Sequence, residues 1–235
     1  MENKRIGIII PSSNTTVEDE FFPIFLDAGI SVHYDRIPLE NVTVDDLASM
    51  ESNTKNSAAL LKTAGVGVIA YACTTGSLFR GLGHDIELGK LISKEAGAEA
   101  VVTSGKVVEA LNQVKAKNIK VITPYTKDLN ELERKFLEEN GFNVVEIEGM
   151  GKVKNLDIGR ISSDELMNFI EGINMQDADS VFLSCTNLPT FSVINLLEKK
   201  LNKPVISSNS ATLWGILKAL KIHYSKGPGY IFNTL

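Results

Sequence analysis

The chain has 235 residues, 43% apolar and 23% charged, a balance that supports one large or two small folded domains and excludes wholesale disorder. Its 24 Lys/Arg against 29 Asp/Glu leave a net charge of −5 with no dense basic run, which argues against nucleic acid or an anionic membrane as partner. Two cysteines, Cys73 and Cys185, are too few for a disulfide framework or a cysteine-rich zinc site.

The opening MENKRIGIII has too short an apolar run for a signal peptide, and no stretch reaches the roughly 18 apolar residues of a membrane span. A cytoplasmic protein with reduced thiols is expected. Residues 5–10, RIGIII, read as a buried strand. The strand empties into PSSNTTVEDEF, residues 11–21. A turn needs one or two polar residues, not a Pro, two Ser and an Asn. The stretch is either turn chemistry with a helix cap or a ligand site at the carboxyl end of a strand. Thr15-x-x-Glu18 has capping-box spacing.

Further strands are predicted over residues 30–36, 66–71 and 100–103, with a helix over 45–64. The third strand runs into Cys73-Thr74-Thr75-Gly76. A second set of strands follows at 119–123, 142–146, 180–183 and 204–207. A helix over 128–140 lies among them and stops at Asn140-Gly141. Residues 149–160, GMGKVKNLDIGR, read as a loop, with the hypothesis that it folds over a cleft; Ser162-x-x-Glu165 is a second capping-box spacing. The strand at 180–183 runs into Cys185-Thr186-Asn187. Trp214 is expected to pack a helix against the core or a dimer partner, and the Gly-Pro-Gly tail reads as either frayed or an oligomer contact.

The two sets rhyme. IGIIIPSSN matches IKVITPYTK and VIAYACTTG matches VFLSCTNLP, so Pro11 lies over Pro124 and Cys73 over Cys185. The steps from Pro to Cys are 62 and 61 residues. This predicts an internal duplication: an α/β fold of two pseudo-symmetric halves, each a four-stranded, mainly parallel sheet flanked by helices. The first half is expected over 1–115, joined by 212–235, and the second over 116–211. Ligands in such sheets sit beyond the carboxyl ends of the strands. Pro11–Asn14, Cys73–Gly76, Pro124–Tyr125 and Cys185–Asn187 all fall there, so both thiols are expected in one cleft.

Each thiol also falls at a strand-to-helix junction, where unpaired N–H groups favour a thiolate. Thr74, Thr75, Thr186 and Asn187 would offer adjacent donors to a carboxylate. A free cysteine is often only a small buried hydrophobe. The matched positions and Thr-rich followers argue for chemistry instead. His33, His84 and His223 lack metal-ligand spacing, and His84, in LGHD, reads as an exposed loop residue. Neither TAGVGVI nor RGLGH forms a phosphate-binding glycine motif.

PSSNTTVEDEF, ACTTGS, TPYT and SCTNLPT together resemble the maleate cis–trans isomerases, relatives of arylmalonate decarboxylase in the aspartate/glutamate racemase superfamily. The resemblance runs from about residue 5 to about residue 215. It implies flavodoxin-like halves with the active site between them, no metal and no organic cofactor, a small dicarboxylate as substrate, and a homodimer. It implies that Cys73 adds to the double bond of maleate, giving a succinyl-cysteine whose single bond rotates before fumarate is eliminated. Cys185 would donate and recover a proton. Asn14, Tyr125 and, by a looser match, Asn155 would bind the carboxylates, with backbone N–H groups of Thr74, Thr75 and Thr186. A Ser is common in the family where Thr75 stands; the hydroxyl is kept. Both cysteines separate the chain from the decarboxylase branch, which lacks one at the position of Cys73. A two-cysteine amino-acid racemase and a non-catalytic carboxylate-binding protein are the alternatives.

Overall fold

Eight strands form two sheets with the same internal order. The computed structural model describes residues 4–235; the first three residues of the stretch weighed above as a leader lie outside the described residues. The first sheet contains β1 (Arg5–Pro11), β2 (Ser31–Ile37), β3 (Val68–Tyr71) and β4 (Glu99–Val102), in the order β2-β1-β3-β4. The second contains β5 (Asn118–Thr123), β6 (Asn143–Gly149), β7 (Ser180–Leu183) and β8 (Val205–Ser207), in the order β6-β5-β7-β8. All pairings are parallel. The duplication reaches single hydrogen bonds. Ala72, just before Cys73, donates its N–H to Ile9 O at 2.9 Å, and Ser184, just before Cys185, donates to Ile122 O at 2.8 Å. Ile9 and Ile122 each stand two residues before the matched prolines.

The helices are α1 (Thr16–Asp27), α2 (Val44–Glu51), α3 (Thr54–Thr63), α4 (Thr74–Leu78), α5 (His84–Ala96) and α6 (Thr103–Gln113) in the first half of the chain. They continue with α7 (Lys127–Glu139), α8 (Asn155–Gly159), α9 (Ser163–Glu171), α10 (Phe191–Leu201) and α11 (Ser208–Ala219). The β-branched run of β1 fills both faces of its sheet. Ile6, Ile8 and Ile10 join a cluster with Phe21, Val107 and Trp214 that continues into Ile119, Val121 and Phe182 of the second sheet. Ile9 points the other way, into a cluster with Leu47, Met50 and Leu61. One apolar layer is therefore shared by the two sheets, each fully buried Ile contributing about 2 kcal/mol. That layer fixes the two carboxyl edges relative to each other.

Several local expectations are corrected. The helix over 45–64 is two helices, because Ser52 Oγ and Asn53 Nδ2 both turn back onto Ser49 O (2.6 and 3.2 Å) and break the run. His84 is not an exposed loop residue: it opens α5, is 4% exposed, and packs edge-on against Phe79. Ser162 does cap α9, accepting from Glu165 N at 3.1 Å. Trp214 is a core residue whose Nε1 donates to Thr234 Oγ1 at 3.2 Å. The tail is docked by a 3₁₀ turn, Tyr230–Thr234, which buries Ile231 and Phe232.

Candidate active site

The loop after β1 is tied down before it can bind anything. Arg36 on β2 donates to the carbonyls of Ser12 (3.0 Å) and Asn14 (2.9 Å) and pairs with Glu18 at 2.5 Å. Glu18 is thus used outside the helix start, and Thr15 makes no side-chain cap. The expected Thr15/Glu18 capping box does not form. Asn14 takes over the cap: its Oδ1 accepts from Thr16 N and Val17 N, each at 3.0 Å. Its Nδ2 donates to Thr186 Oγ1 at 3.2 Å. Asn14 is 1% exposed, so the amide joins α1 to the second half inside the protein.

Cys73 is the N-cap of α4, and Gly76 N donates to its Sγ at 3.3 Å. Thr75 Oγ1 stands 3.9 Å from the same sulfur. Gly76 must lack a side chain: an added Cβ would lie 2.6 Å from Met50 Cε, 2.9 Å from Tyr71 Oη and 3.0 Å from Cys73 Sγ. Thr74 Oγ1 donates to Ser208 Oγ at 2.8 Å, and Cys185 N donates to that same oxygen at 3.0 Å. Ser208, at the start of α11, therefore couples the two cysteine loops.

Cys185 has φ +98°, a conformation that L side chains rarely adopt. The strand end forces it, since Ser184 N is still in the ladder while Asn187 N turns back to donate to Cys185 Sγ at 3.3 Å. The Tyr125 side chain is near enough to lower this thiol's pKa. Tyr125 is 1% exposed, with its own N–H on Thr123 Oγ1 at 3.1 Å. Thr186 Oγ1 donates to Ala72 O at 3.0 Å, beside Cys73.

Residues 149–160 bridge the mouth. Lys152 N and Gly151 N donate to the carbonyls of Pro124 (2.8 Å) and Tyr125 (3.0 Å). On the other side, Val42 N donates to Val153 O at 2.8 Å, and Asn155 N to Glu40 O at 2.9 Å. Asn155 is buried, donating from Nδ2 to Ser13 Oγ (2.8 Å) and accepting at its carbonyl from Asn187 Nδ2 (2.7 Å). The nine residues singled out in the sequence, Asn187 among them, thus gather at one seam between the sheets. Ser208, which the sequence did not single out, joins them.

Burial decides the thiol electrostatics. The expected junction forms at Cys73, where the Gly76 N–H of α4 pulls the pKa down, but Cys185 is followed by a turn and α10 begins only at Phe191. There the Tyr125 side chain and the Asn187 N–H pull the pKa down, and at both thiols desolvation outweighs these donors. The Cys73 thiol is pushed up to about 11 and the Cys185 thiol to about 12, the negative charge of Cys73 adding to the second. Both are protonated at neutral pH. Tyr125 is likewise held protonated by burial and by the charges of Cys185, Glu133 and Cys73. No group of three His, Cys, Asp or Glu among the described residues could hold a metal ion. A cavity of about 750 Å³ between Ile170, Met175, Leu197 and Lys203 lies away from the thiols and takes no part in this site.

The same fold and length recur in known proteins. The family model described as arylmalonate decarboxylase matches residues 6–232. A maleate isomerase of Pseudomonas putida is 32% identical over 231 residues, covering 93% of this chain and 92% of the relative. The Nocardia farcinica maleate cis–trans isomerase bound to Tris superposes with a TM-score of 0.94 at 25% identity, with 98% of each chain covered. A mutant of that enzyme with a covalently bound succinylcysteine intermediate has the same fold, with a TM-score of 0.93 at 24% identity and 99% of each chain covered. With the match spanning nearly the whole chain, the protein belongs to the arylmalonate decarboxylase family.

Proposed function

We propose that this protein is a cofactor-independent maleate cis–trans isomerase. The observation that carries the reading is the pair of buried thiols at equivalent ends of duplicated strands, each bound by a backbone N–H, Gly76 to one and Asn187 to the other. Cys73 releases its proton to solvent before maleate is enclosed, and its thiolate sulfur, regenerated when the product leaves, adds to one alkene carbon of maleate. A C–S bond forms, and the π electrons move to the neighbouring carbon and its carboxylate. Cys185 protonates that carbon, giving a succinyl-cysteine. The former double bond, now single, rotates; the Cys185 thiolate takes the proton back, the C–S bond breaks and fumarate leaves. The benefit is that of covalent catalysis: a forbidding rotation becomes an easy one. The succinylcysteine of the Nocardia farcinica mutant supports this route.

The substrate-binding roles rest on donor chemistry. Asn14, Asn155 and Tyr125, with the backbone N–H groups of Thr74, Thr75 and Thr186, are assigned to the two carboxylates, where preorganised donors stabilise the enediolate charge. The bridging segment 149–160 is assigned as a lid, which is supported by its few hydrogen bonds to the first half and by the burial of both thiols. We keep the division into 1–115 with 212–235 and 116–211; the packing of α11 on α6, β3 and β4 supports it. A cytoplasmic homodimer is the assembly we favour: no helix among the described residues is long and apolar enough to cross a membrane. Phe22 and Leu26 expose an apolar strip on α1.

Proton NMR in heavy water decides the reaction. Fumarate formed from maleate supports the isomerase. Deuterium entering the α-position of aspartate or glutamate, without fumarate formation, would replace it with a racemase.

A further inference from the structure

Glu133 is a buried carboxyl that the reaction as derived does not use. It lies on α7 with no exposed surface. Ser184 Oγ donates to its Oε1 at 2.5 Å, while Oε2 is buried without a hydrogen-bond partner. Ser184 directly precedes Cys185, and its N–H is fixed on Ile122. The carboxyl therefore holds the peptide from which the second thiol projects.

The surroundings favour an uncharged Glu133. Asn130, one turn earlier on α7, is neutral and accepts from Thr123 Oγ1 at 2.6 Å. Helix α4, packed on α7, carries TTGSL and brings no ionisable side chain. Beyond the end of β5 the titratable neighbour is Tyr125, and beyond β7 it is Cys185; β6, packed on α7, carries Glu146, which pairs with Lys120, and Glu148, and neither acts on this carboxyl. Burial pushes the carboxyl up to about 8, so it is mainly protonated at pH 7. Helix α7 packs on α4, whose N-cap is Cys73, and Glu133 is bonded to Ser184 beside Cys185, so the carboxyl lies in the same buried region as both thiol loops. The substrate is a dianion, and the reaction adds a thiolate and an enediolate in that region. A carboxylate beneath them opposes each.

Resting on the isomerase reading, we propose that Glu133 is a positioning residue: uncharged, it holds Ser184 and so aims Cys185, and its ionisation weakens the site toward a dianionic substrate.

The test is kcat/KM for maleate from about pH 6 to about pH 9.5 in wild type, Glu133→Gln, Glu133→Ala and Ser184→Ala. The wild-type profile should bend downward at about pH 8. Glu133→Gln should lack the bend and exceed wild type about tenfold at the alkaline end. Glu133→Ala should lose about tenfold in kcat at neutral pH, most of it recovered by Gln. Superimposable wild-type and Gln profiles, or a folded Gln variant as poor as Ala, overturn the proposal. If Ala does not fold, Ser184→Ala should lower kcat while keeping the bend; unchanged kcat overturns the positioning role. An infrared difference spectrum decides the protonation independently of turnover. A protonated carboxyl band should titrate at about pH 8 in wild type and be missing in Glu133→Gln. Its absence from folded wild type sinks this proposal, whereas failure to convert maleate sinks the isomerase reading alone.

Discussion

Asn14 and Thr186 stand 172 residues apart and meet at 3.2 Å, the amide Nδ2 of one donating to the hydroxyl of the other. The two atoms of the Asn14 amide have separate duties. Oδ1 caps α1, and Nδ2, beyond its bond to Thr186, is the donor that the proposed carboxylate contact would use. Asn14→Ala deletes both and should cost about 1 kcal/mol in stability as well as activity. Asn14→Asp keeps the capping oxygen, removes the donor and sets a negative charge against the dianion. It should fold with a melting temperature close to wild type yet lose at least about a hundredfold in kcat/KM. An Asp variant that turned over maleate normally would remove Asn14 from the site.

The two thiols should fail differently. Cys73→Ser removes the nucleophile and should abolish isomerisation, with no covalent adduct seen by intact-protein mass spectrometry. Cys185→Ser leaves the nucleophile but removes the group that recovers the proton. It should slow turnover by about a thousandfold and allow a one-maleate adduct to accumulate on Cys73. Adduct formation in the Cys73→Ser protein would reverse the assignment.

Cys185 also carries a backbone cost. At φ +98° a Cβ is disfavoured, and glycine is not. Cys185→Gly should therefore unfold at higher denaturant than Cys185→Ala, by about 1 kcal/mol, although both are inactive. Equal stabilities would mean that the strand end relaxes once the thiol is gone.

What could be read in the sequence followed from local physics. Unbroken apolar runs gave the eight strands, and the Pro and Cys landmarks gave the duplication, because both depend on neighbours in the chain. Cys73, Cys185 and Asn14 stood out at strand ends, whereas Tyr125 and Asn155 were given binding roles only through the resemblance to the isomerases. The cap at α1 was misread because Thr15-x-x-Glu18 has the right spacing, whereas Asn14, one residue earlier, makes the bonds and Arg36 claims Glu18. Ser208, Glu20 and Glu133 were not read as site residues. Their partners are 134, 170 and 51 residues away, and a Glu on an amphipathic helix looks like a solvated one. The depressed thiol pKa expected at a helix start was overturned for a similar reason: burial is a property of the assembled seam, not of the junction.

Glu20 makes stability depend on pH. From α1 its carboxyl accepts from Thr190 N (2.6 Å), Phe191 N (2.8 Å) and Asn209 Nδ2 (2.6 Å), tying the first half to the start of α10 and to α11. Desolvation outweighs these donors and raises its pKa from 4.5 to about 7. Between those values the folded state binds more protons than the unfolded chain, so stability falls as pH rises through this window and levels off above it. The contribution is on the order of 3 kcal/mol, at the rate of about 1.4 kcal/mol per unit. Urea unfolding at pH 4.5, 6 and 7 should show the decline, and Glu20→Gln should flatten its slope whatever that variant's absolute stability. A wild-type stability that rises across the window would contradict the assigned direction.

Substrate entry requires an opening, because Cys73 and Cys185 are only 5% and 6% exposed. The segment most economically moved is 149–160. Its grip on the first half consists of Val42 N to Val153 O, Asn155 N to Glu40 O, and Asn155 Nδ2 to Ser13 Oγ, while Ile158, fully buried in the core, anchors its far end. Breaking three such bonds costs only about 3 kcal/mol net, within reach of a local opening. Amide exchange at Val42 and Asn155 should then be fast relative to β1 and β5 in the free protein and slow about tenfold or more when a non-reacting dicarboxylate such as succinate saturates the site. Exchange at those two amides that stays as slow as in β1, with or without succinate, would mean that the thiols are reached by another route and that 149–160 is a fixed wall.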